Sequence, residues 1–190
     1  RYSIYYGDAR DAYDVRGRTT HEAIFNTASG VFRCPNSQQG YSPFSTWTRG
    51  LAWAICGFAE QLEFLASVNR LHIDEVSETA TRLLDPLLNQ KLQTARPAAK
   101  YEIMLVEAAT ATADFYLANS CADGIPMWDT GAPNLGLLPA KYLNKPSNPY
   151  NKFEPVDSSA AAIAAQGLIR LGNHLNTHNS SSSCIYTHTH

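Results

Sequence analysis

The chain has 190 residues, of which 44% are hydrophobic and 17% charged, so it can bury the core of one domain. Its formal net charge of −2 gives no reason to expect nucleic acid or an anionic membrane surface as a partner. No run approaches the roughly 18 apolar residues that a membrane-spanning helix needs. The first residue is Arg rather than Met, and no signal peptide is recognisable, so we expect a piece of a longer protein.

Four cysteines are spread along the chain without a CxxC pair, so we expect no zinc site. The rest of the sequence shows no requirement for a metal or an organic cofactor, and we expect neither. The spacing of the cysteines is compatible with two disulfides or with free buried thiols. A single glycosylation sequon at residues 179–181 leaves the compartment open between cytoplasmic and secreted. The cysteines are Cys34, Cys56, Cys121 and Cys184.

The first elements are short. Residues 1–20 are rich in Tyr, Asp and Arg without periodicity, which predicts either a helix remnant or a loop. Residues 21–32 favour an extended segment with a turn at 28–30. A polar loop at 37–45 follows, and Ser45 is the predicted N-cap of the next helix.

That helix, predicted to reach Phe64, carries apolar residues at helical spacing on one face. A second face carries Arg49, Trp53 and Cys56, and neither Lys nor Glu appears before Glu60, so we expect both faces to be buried or half-buried. An arginine beside an indole on a cavity wall would suit an anionic ring; the alternative is a core helix with a paired arginine. The apolar face comprises Trp47, Leu51, Ile55, Phe58, Leu62 and Leu65.

Two further helices are predicted in the middle of the chain. The first covers residues 73–93 and should break or kink at Pro86. The second covers residues 100–119, where apolar residues again recur at helical spacing. Those residues are Met104, Leu105, Ala108, Ala111 and Phe115.

The last third begins with an irregular connection, residues 120–156, that contains six prolines. Loops of this length in compact domains are usually functional or disordered. Asp157 is the predicted N-cap of a helix over 158–175 whose alanine-rich face lets a neighbour approach closely. We predict one domain over residues 1–178 and a frayed tail over 179–190.

Three segments then carry a resemblance. QGYSPFSTWTRGLAWAICGFA, from Gln39, resembles the QGY…S-x-W-x-RGQAW-x-IYGFA pattern of unsaturated glucuronyl hydrolases of glycoside hydrolase family 88. ADFYLANSCADGIPMWDTGAP and PVDSSAAAIAAQGLIRL are similar to later blocks of that family, in the same order. His21 and the residues up to Gly30 are similar to its H-x-F-x-F-(D/N)-x-x-TG segment. The similar stretches cover about residues 20–67 and 106–172.

The resemblance implies an all-α fold, an (α/α)6 toroid in which inner and outer helices alternate around a central cleft. The helices predicted here would supply only about the second half of such a barrel. An exposed apolar face would then remain, which a soluble monomer rarely tolerates. We therefore expect either a missing N-terminal half or a second chain to complete the barrel; head-to-tail pairing of half-toroids as a structural module is a further alternative.

The family's activity, by resemblance, is removal of a 4,5-unsaturated uronic acid from the non-reducing end of oligosaccharides left by polysaccharide lyases. An aspartate acts as general acid and base to hydrate the C4=C5 bond, and the unstable hemiketal opens to release the next sugar. A second aspartate assists. Both belong to the family's N-terminal half, ahead of the histidine segment, so this chain offers no position for them.

The resemblance also implies a binding site for the unsaturated uronate, formed by His21, Gln39, Arg49 and Trp53. Arg49 would pair with the carboxylate, Trp53 would support the sugar ring, and the other two would hydrogen-bond near the reacting carbons. Trp128 is a further candidate, which either rims the cleft or fixes a long loop.

This chain departs from the family pattern at Leu51, Cys56 and Gln38, which puts substrate preference in doubt. Asp129 is the best acid within the chain, but a glycosidase mechanism needs two acids facing one cavity. The rival hypothesis is therefore a catalytically inactive, lectin-like protein that retains the uronate site and lacks the acids.

Overall fold

A computed structural model of the chain describes residues 2–68 and 97–185. Its strands are β1 (Glu22–Phe25) and β2 (Phe32–Asn36), and its helices are α1 (Thr48–Ser67), α2 (Pro97–Ala118) and α3 (Ser158–Ile185). The predicted helix over residues 73–93 lies outside the described residues. None of the helices in the described ranges has the length and hydropathy needed to cross a membrane.

Residues 2–20 form a folded-back loop, so of the two predicted alternatives the helix remnant is wrong. The amide of Tyr5 donates to the carbonyl of Arg18 at 3.0 Å, and the amide of Gly17 donates to the carbonyl of Tyr5 at 2.8 Å. An isolated bridge joins Ile4 and Thr19. This loop ends directly before β1.

Strands β1 and β2 pair in antiparallel fashion, with Glu22 opposite Asn36, which confirms the predicted extended segment and its turn. The side-chain oxygen of Asn26 accepts hydrogen bonds from the amides of Ala28 and Ser29. Gly30 then closes the turn with a φ of 68°, a left-handed conformation that favours glycine.

Helix α1 is the central element, because both α2 and α3 pack against it while they scarcely touch each other. Leu51, Ile55 and Leu62 are completely buried, which confirms the predicted apolar face. Burying a leucine or isoleucine side chain contributes about 1.5–3 kcal/mol, so this face accounts for much of the attachment of the other helices.

The start of α1 differs from the prediction. The helix begins at Thr48, its N-cap is Trp47, and no side chain caps it. Ser45 is wrong as the N-cap because its hydroxyl instead bonds the backbone of Ser42. The first amide of the helix, that of Thr48, is satisfied by the carbonyl of Trp128 at 3.1 Å.

Helix α3 begins as predicted, since the Oδ1 of Asp157 accepts the amide of Ala160 at 2.8 Å. Ala160 and Ala164 are completely buried against α1, which confirms the close approach expected of the alanine-rich face. The predicted end at residue 175 is wrong: the helix continues to Ile185, because the serine-rich stretch contains neither proline nor glycine to stop it.

The connection over residues 120–156 is ordered around a small apolar cluster of Cys121, Met127 and Leu138. It contains short 3₁₀ turns at Leu135–Leu137 and Tyr142–Asn144. An isolated bridge between Met127 and Val156 brings its two ends together, next to the start of α1. The described structure is predominantly helical, consistent with the predicted part of an (α/α)6 toroid.

Candidate functional site

The first turn of α1 is where the proline-rich connection meets the helix core. A bridge pairs Trp47 with Asp129, and the hydroxyl of Thr48 donates to the carbonyl of Met127 at 2.8 Å. Trp128, between these two connection residues, accepts the Thr48 amide. The backbone of the proline-rich connection is therefore bound to the start of this helix.

Arg49, in the first turn of α1, is paired with the N-cap of α3. Its Nε and Nη2 donate to the Oδ2 of Asp157 at 3.1 and 3.0 Å. The Asp157 side chain is 3% exposed, whereas that of Arg49 is 43% exposed. A guanidinium has two edges that can bind a carboxylate, so the pairing occupies the Nε edge and leaves the Nη1–Nη2 edge directed away from Asp157.

Trp47 connects two of the predicted site residues. The guanidinium carbon of Arg49 lies 5.7 Å from the centre of its ring. The ring of His21 meets it edge to face, with centroids 5.0 Å apart and planes at 70°. Helical spacing predicted Trp47 only as part of the apolar face, whereas its position two residues before Arg49 in the TWTRG segment is the signal for its place in the site.

His21 is held in one tautomer by the loop before α1. Its Nδ1 accepts hydrogen bonds from the amides of Gln38 and Gln39, at 3.0 and 3.2 Å. An acceptor nitrogen carries no proton, so the proton of the neutral ring lies on Nε2, which is then the nitrogen available as a donor. Gln39 enters this arrangement through its backbone, and its residue is exposed.

Trp53 lies one turn after Arg49 and is 58% exposed. The prediction that this face would be buried or half-buried is wrong at Trp53, because α2 and α3 pack on other sides of α1. Its neighbour on the next turn, Cys56, is 3% exposed and faces α3. Burial, reinforced by the nearby Glu60 carboxylate, raises the pKa of the Cys56 thiol.

Trp128 and Asp129 both secure the proline-rich connection. The ring N–H of Trp128 donates to Glu154 at 2.7 Å, and Glu154 also accepts the amide of Asn134. Asp129 is completely buried, and its two oxygens accept the amides of Tyr41 and Gly131, both at 2.9 Å. Both oxygens of Asp129 therefore stabilise the backbone, whereas the sequence offers Asp129 as the best candidate for an acid within the chain.

The described residues hold Cys34, Cys56 and Cys121 as free thiols, the first exposed and the other two buried. In the ranges 2–68 and 97–185, no three His, Cys, Asp or Glu side chains are grouped as metal ligands.

The predicted site residues gather around the start of α1. His21 and Arg49 share the ring of Trp47, Trp53 follows Arg49 by one helical turn, and Gln39 contacts His21. Trp128 adjoins the same turn through its backbone, while its ring is directed to Glu154. An exposed indole, an accessible guanidinium edge and an imidazole donor are the groups that a carbohydrate carboxylate site uses.

No protein-family model matches the chain. The sequence is 27% identical over 158 residues to an unsaturated glucuronyl hydrolase of Formosa agariphila, covering 82% of this chain and 27% of that protein. It is 28% identical over 163 residues to an unsaturated glucuronyl hydrolase of Bacillus sp. strain GL1, covering 85% of this chain and 30% of that protein.

Two solved structures are similar as well. One is an unsaturated glucuronyl hydrolase from Bacillus sp. strain GL1, described as responsible for the degradation of glycosaminoglycan, with 26% identity and a TM-score of 0.49. The other is a UGL variant, an aspartate replaced by asparagine, with dGlcA-Glc-Rha-Glc, at 25% identity and a TM-score of 0.48. Each match covers 83% of this chain and 28% of the other.

The predicted resemblance to the unsaturated glucuronyl hydrolases is thus confirmed by sequence over more than four fifths of the chain. The chain spans 27% to 30% of the length of these curated relatives.

Proposed function

We propose that the start of α1 binds a 4,5-unsaturated uronic acid, with the ligand carboxylate on the Nη1–Nη2 edge of Arg49. The observation that carries this proposal is the exposure of Arg49 despite its pairing with Asp157 on the other edge. A carboxylate on the remaining edge would contribute about 1.5–3 kcal/mol in total through its charge-assisted hydrogen bonds.

The neighbouring side chains suit the rest of the sugar. Trp53 presents more than half of its surface to solvent one turn from Arg49, so its ring can support the apolar face of a pyranose. His21 can donate from Nε2 to a ring or hydroxyl oxygen, and the exposed Gln39 can donate and accept. Together these four groups fix the carboxylate and the ring plane.

The reaction we propose for the protein that contains this chain is hydration of the C4=C5 bond, as in glycoside hydrolase family 88. A proton adds to C4 and water adds to C5, and the resulting hemiketal opens and releases the next sugar. Arg49 would hold the carboxylate attached to C5, next to the carbon that takes the hydroxyl. The acids would come from parts of the barrel that this sequence does not cover.

A second candidate, a lectin-like protein without catalysis, is favoured by the state of the carboxylates near the site. Asp129 is fully buried with both oxygens accepting amides, and Asp157 is paired with Arg49. Neither is free to donate a proton to a bound sugar. A lectin-like protein would bind the unsaturated uronate without converting it to product.

We further propose that additional chain, supplied by the same protein or by a second copy, covers the apolar side chains that the described helices expose. Phe64, Leu117 and Ile169, which lie outside the proposed site, are each more than half exposed. A sedimentation experiment on the 190-residue chain should show self-association or partial unfolding, and a well-folded monomer would contradict this part of the proposal.

The binding proposal is tested by calorimetric titration of the full chain with a lyase-generated unsaturated disaccharide. Arg49→Ala should weaken binding by about 1.5–3 kcal/mol, and Arg49→Lys should recover part of it, because lysine keeps the charge but not the planar fork. Arg33→Ala, an exposed arginine on β2, is the matched control. An unchanged affinity in Arg49→Ala would exclude the carboxylate role.

Turnover is followed separately, through the ultraviolet absorbance of the C4=C5 enol ether. The enzyme candidate predicts that absorbance falls when the chain is joined to the acids of a complete barrel, while the lectin-like candidate predicts binding with constant absorbance. Consumption of disaccharide by the 190-residue chain alone would show that the acids lie within this sequence.

A further inference from the structure

We propose that Asp157 is a positioning residue for ligand recognition: it fixes Arg49 so that only the Nη1–Nη2 edge faces the ligand. This inference rests on the proposed uronate site and extends it to the opposite end of the chain. Asp157 was expected only as the N-cap of α3, and the structure assigns its second oxygen to Arg49.

Asp157 itself is firmly held at the start of α3. Its Oδ1 accepts the amide of Ala160 at 2.8 Å, and its own amide donates to the carbonyl of Pro126, also at 2.8 Å. The side chain is 3% exposed. A buried carboxylate at a helix N-terminus is stabilised by the helix dipole and has one defined orientation.

The fixed carboxylate of Asp157 in turn restrains the side chain of Arg49. Two of its nitrogens, Nε and Nη2, donate to the single oxygen Oδ2, so the carboxylate holds this edge of the guanidinium. The guanidinium carbon also lies 5.7 Å from the centre of the Trp47 ring. A long side chain that would otherwise sample many rotamers is thus ordered before a ligand arrives, which removes part of the entropic penalty of binding.

A positioning role and a purely electrostatic role of Asp157 predict opposite changes in ligand affinity when its charge is removed. The negative charge of Asp157 opposes the approach of an anionic ligand, so a purely electrostatic role predicts tighter binding when that charge is removed. Positioning predicts the reverse, because a disordered guanidinium can no longer select a carboxylate over a neutral group. The two roles therefore give opposite signs for the same variant.

The experiment compares two probes, an unsaturated uronyl disaccharide and its carboxyl methyl ester, by calorimetric titration of the full chain. The wild-type protein should prefer the carboxylate by about tenfold to a hundredfold. Asp157→Asn retains an N-cap side chain and should lower that preference by about tenfold, with little change in affinity for the ester. Asp157→Ser, which also caps but cannot reach Arg49, should behave in the same way.

The matched control is Asp123→Asn. Asp123 accepts hydrogen bonds from Ser147 and Ile125 in the proline-rich connection and does not contact Arg49, so the preference should be unchanged. Thermal melting of each variant reports the capping role of Asp157. If Asp157→Asn and Asp157→Ser melt at the wild-type temperature, or at an equally lowered one, then a loss of carboxylate preference is not caused by a weakened N-cap.

A second readout needs no ligand. In protein labelled with ¹⁵N-arginine, the Nε–H order parameter of Arg49 should fall in Asp157→Asn, and equal order in the two proteins would overturn the positioning role. If the wild type prefers the carboxylate and Arg49→Ala loses that preference while Asp157→Asn keeps it, the positioning role alone fails. If the wild type shows no preference, the proposed uronate site fails.

Discussion

Gly167 of α3 lies so close to Cys56 of α1 that a Cβ at position 167 would be 2.8 Å from the Cα and the backbone nitrogen of Cys56. The contact lies in the main helix–helix interface, where Ile55 is completely buried. Only glycine permits this separation between the two backbones.

Gly167→Ala should therefore destabilise the protein by about 1–3 kcal/mol, because the two helices must move apart. The matched control is Gly172→Ala on the same helix, where a Cβ would meet nothing within 4 Å. Alanine there should stabilise the helix by about 0.5–1 kcal/mol. Urea unfolding of both variants measures the difference, and equal stabilities would contradict the close helix approach.

The two tryptophans near the start of α1 should respond differently to substitution. Trp53→Ala should change the free energy of unfolding by less than about 0.5 kcal/mol, because the side chain is mostly exposed, yet weaken disaccharide binding. Trp128→Phe should cost about 1–3 kcal/mol of stability, because the buried Glu154 loses a donor.

Thermal or urea unfolding and calorimetric binding, measured on both variants, check this pair. A large stability loss in Trp53→Ala would show that its ring is packed in the protein in solution. Retained stability in Trp128→Phe would remove the loop-fixing role and leave the predicted role at the cleft.

The thiols should react with a disulfide reagent in a defined order. Cys34 is exposed and should be labelled first, whereas Cys56 and Cys121 are buried and burial raises the pKa of both thiols. Because the thiolate is the reactive form, both should be labelled slowly near neutral pH. Peptide mapping after timed labelling assigns each site, and Cys34→Ser removes its signal.

All four cysteines should react rapidly in denaturant. If Cys56 in the native protein is labelled as fast as Cys34, the packing of α3 against α1 around Gly167 is wrong.

The pH dependence of stability should show a contribution from Tyr116 at alkaline pH. The residue is 2% exposed and its hydroxyl donates to the carbonyl of Gly124 at 3.0 Å. Burial raises the pKa of Tyr116 to about 12, above its ordinary value of 10.0. Because the folded pKa is the higher one, this contribution is fully present below pH 10 and is lost as the pH rises towards 12.

Absorbance titration of tyrosinate should therefore show a late-titrating component near pH 12 that is smaller by one tyrosine in Tyr116→Phe. The variant should also lose about 1 kcal/mol of stability at neutral pH, the typical contribution of one hydrogen bond. If Tyr116→Phe loses amplitude from the main phase near pH 10 and keeps the late component, the buried position of the ring is contradicted.

Local chemistry made much of the helical architecture predictable from the sequence. The apolar repeat through Leu51, Ile55 and Leu62 predicted the buried face of α1, because helix periodicity depends on residues a few positions apart. Asp157 was predictable as an N-cap for the same reason, since a cap acts on an amide three residues later. The start of α1 was not predictable from local sequence, because the first amide of the helix is satisfied by the carbonyl of Trp128, far along the chain.

The sequence by itself also predicted His21, Gln39, Arg49 and Trp53 as candidate site residues, through a family resemblance that the sequence comparisons confirm, but it did not predict the place of Trp47 between two of them. Only the tertiary structure decided how they are arranged: Arg49 pairs with a residue 108 positions later, Trp47 joins His21 to Arg49, and Trp53 is exposed. The physical reason is that pairing and exposure depend on which surfaces α2, α3 and the proline-rich connection cover, and no local pattern in the sequence specifies that packing.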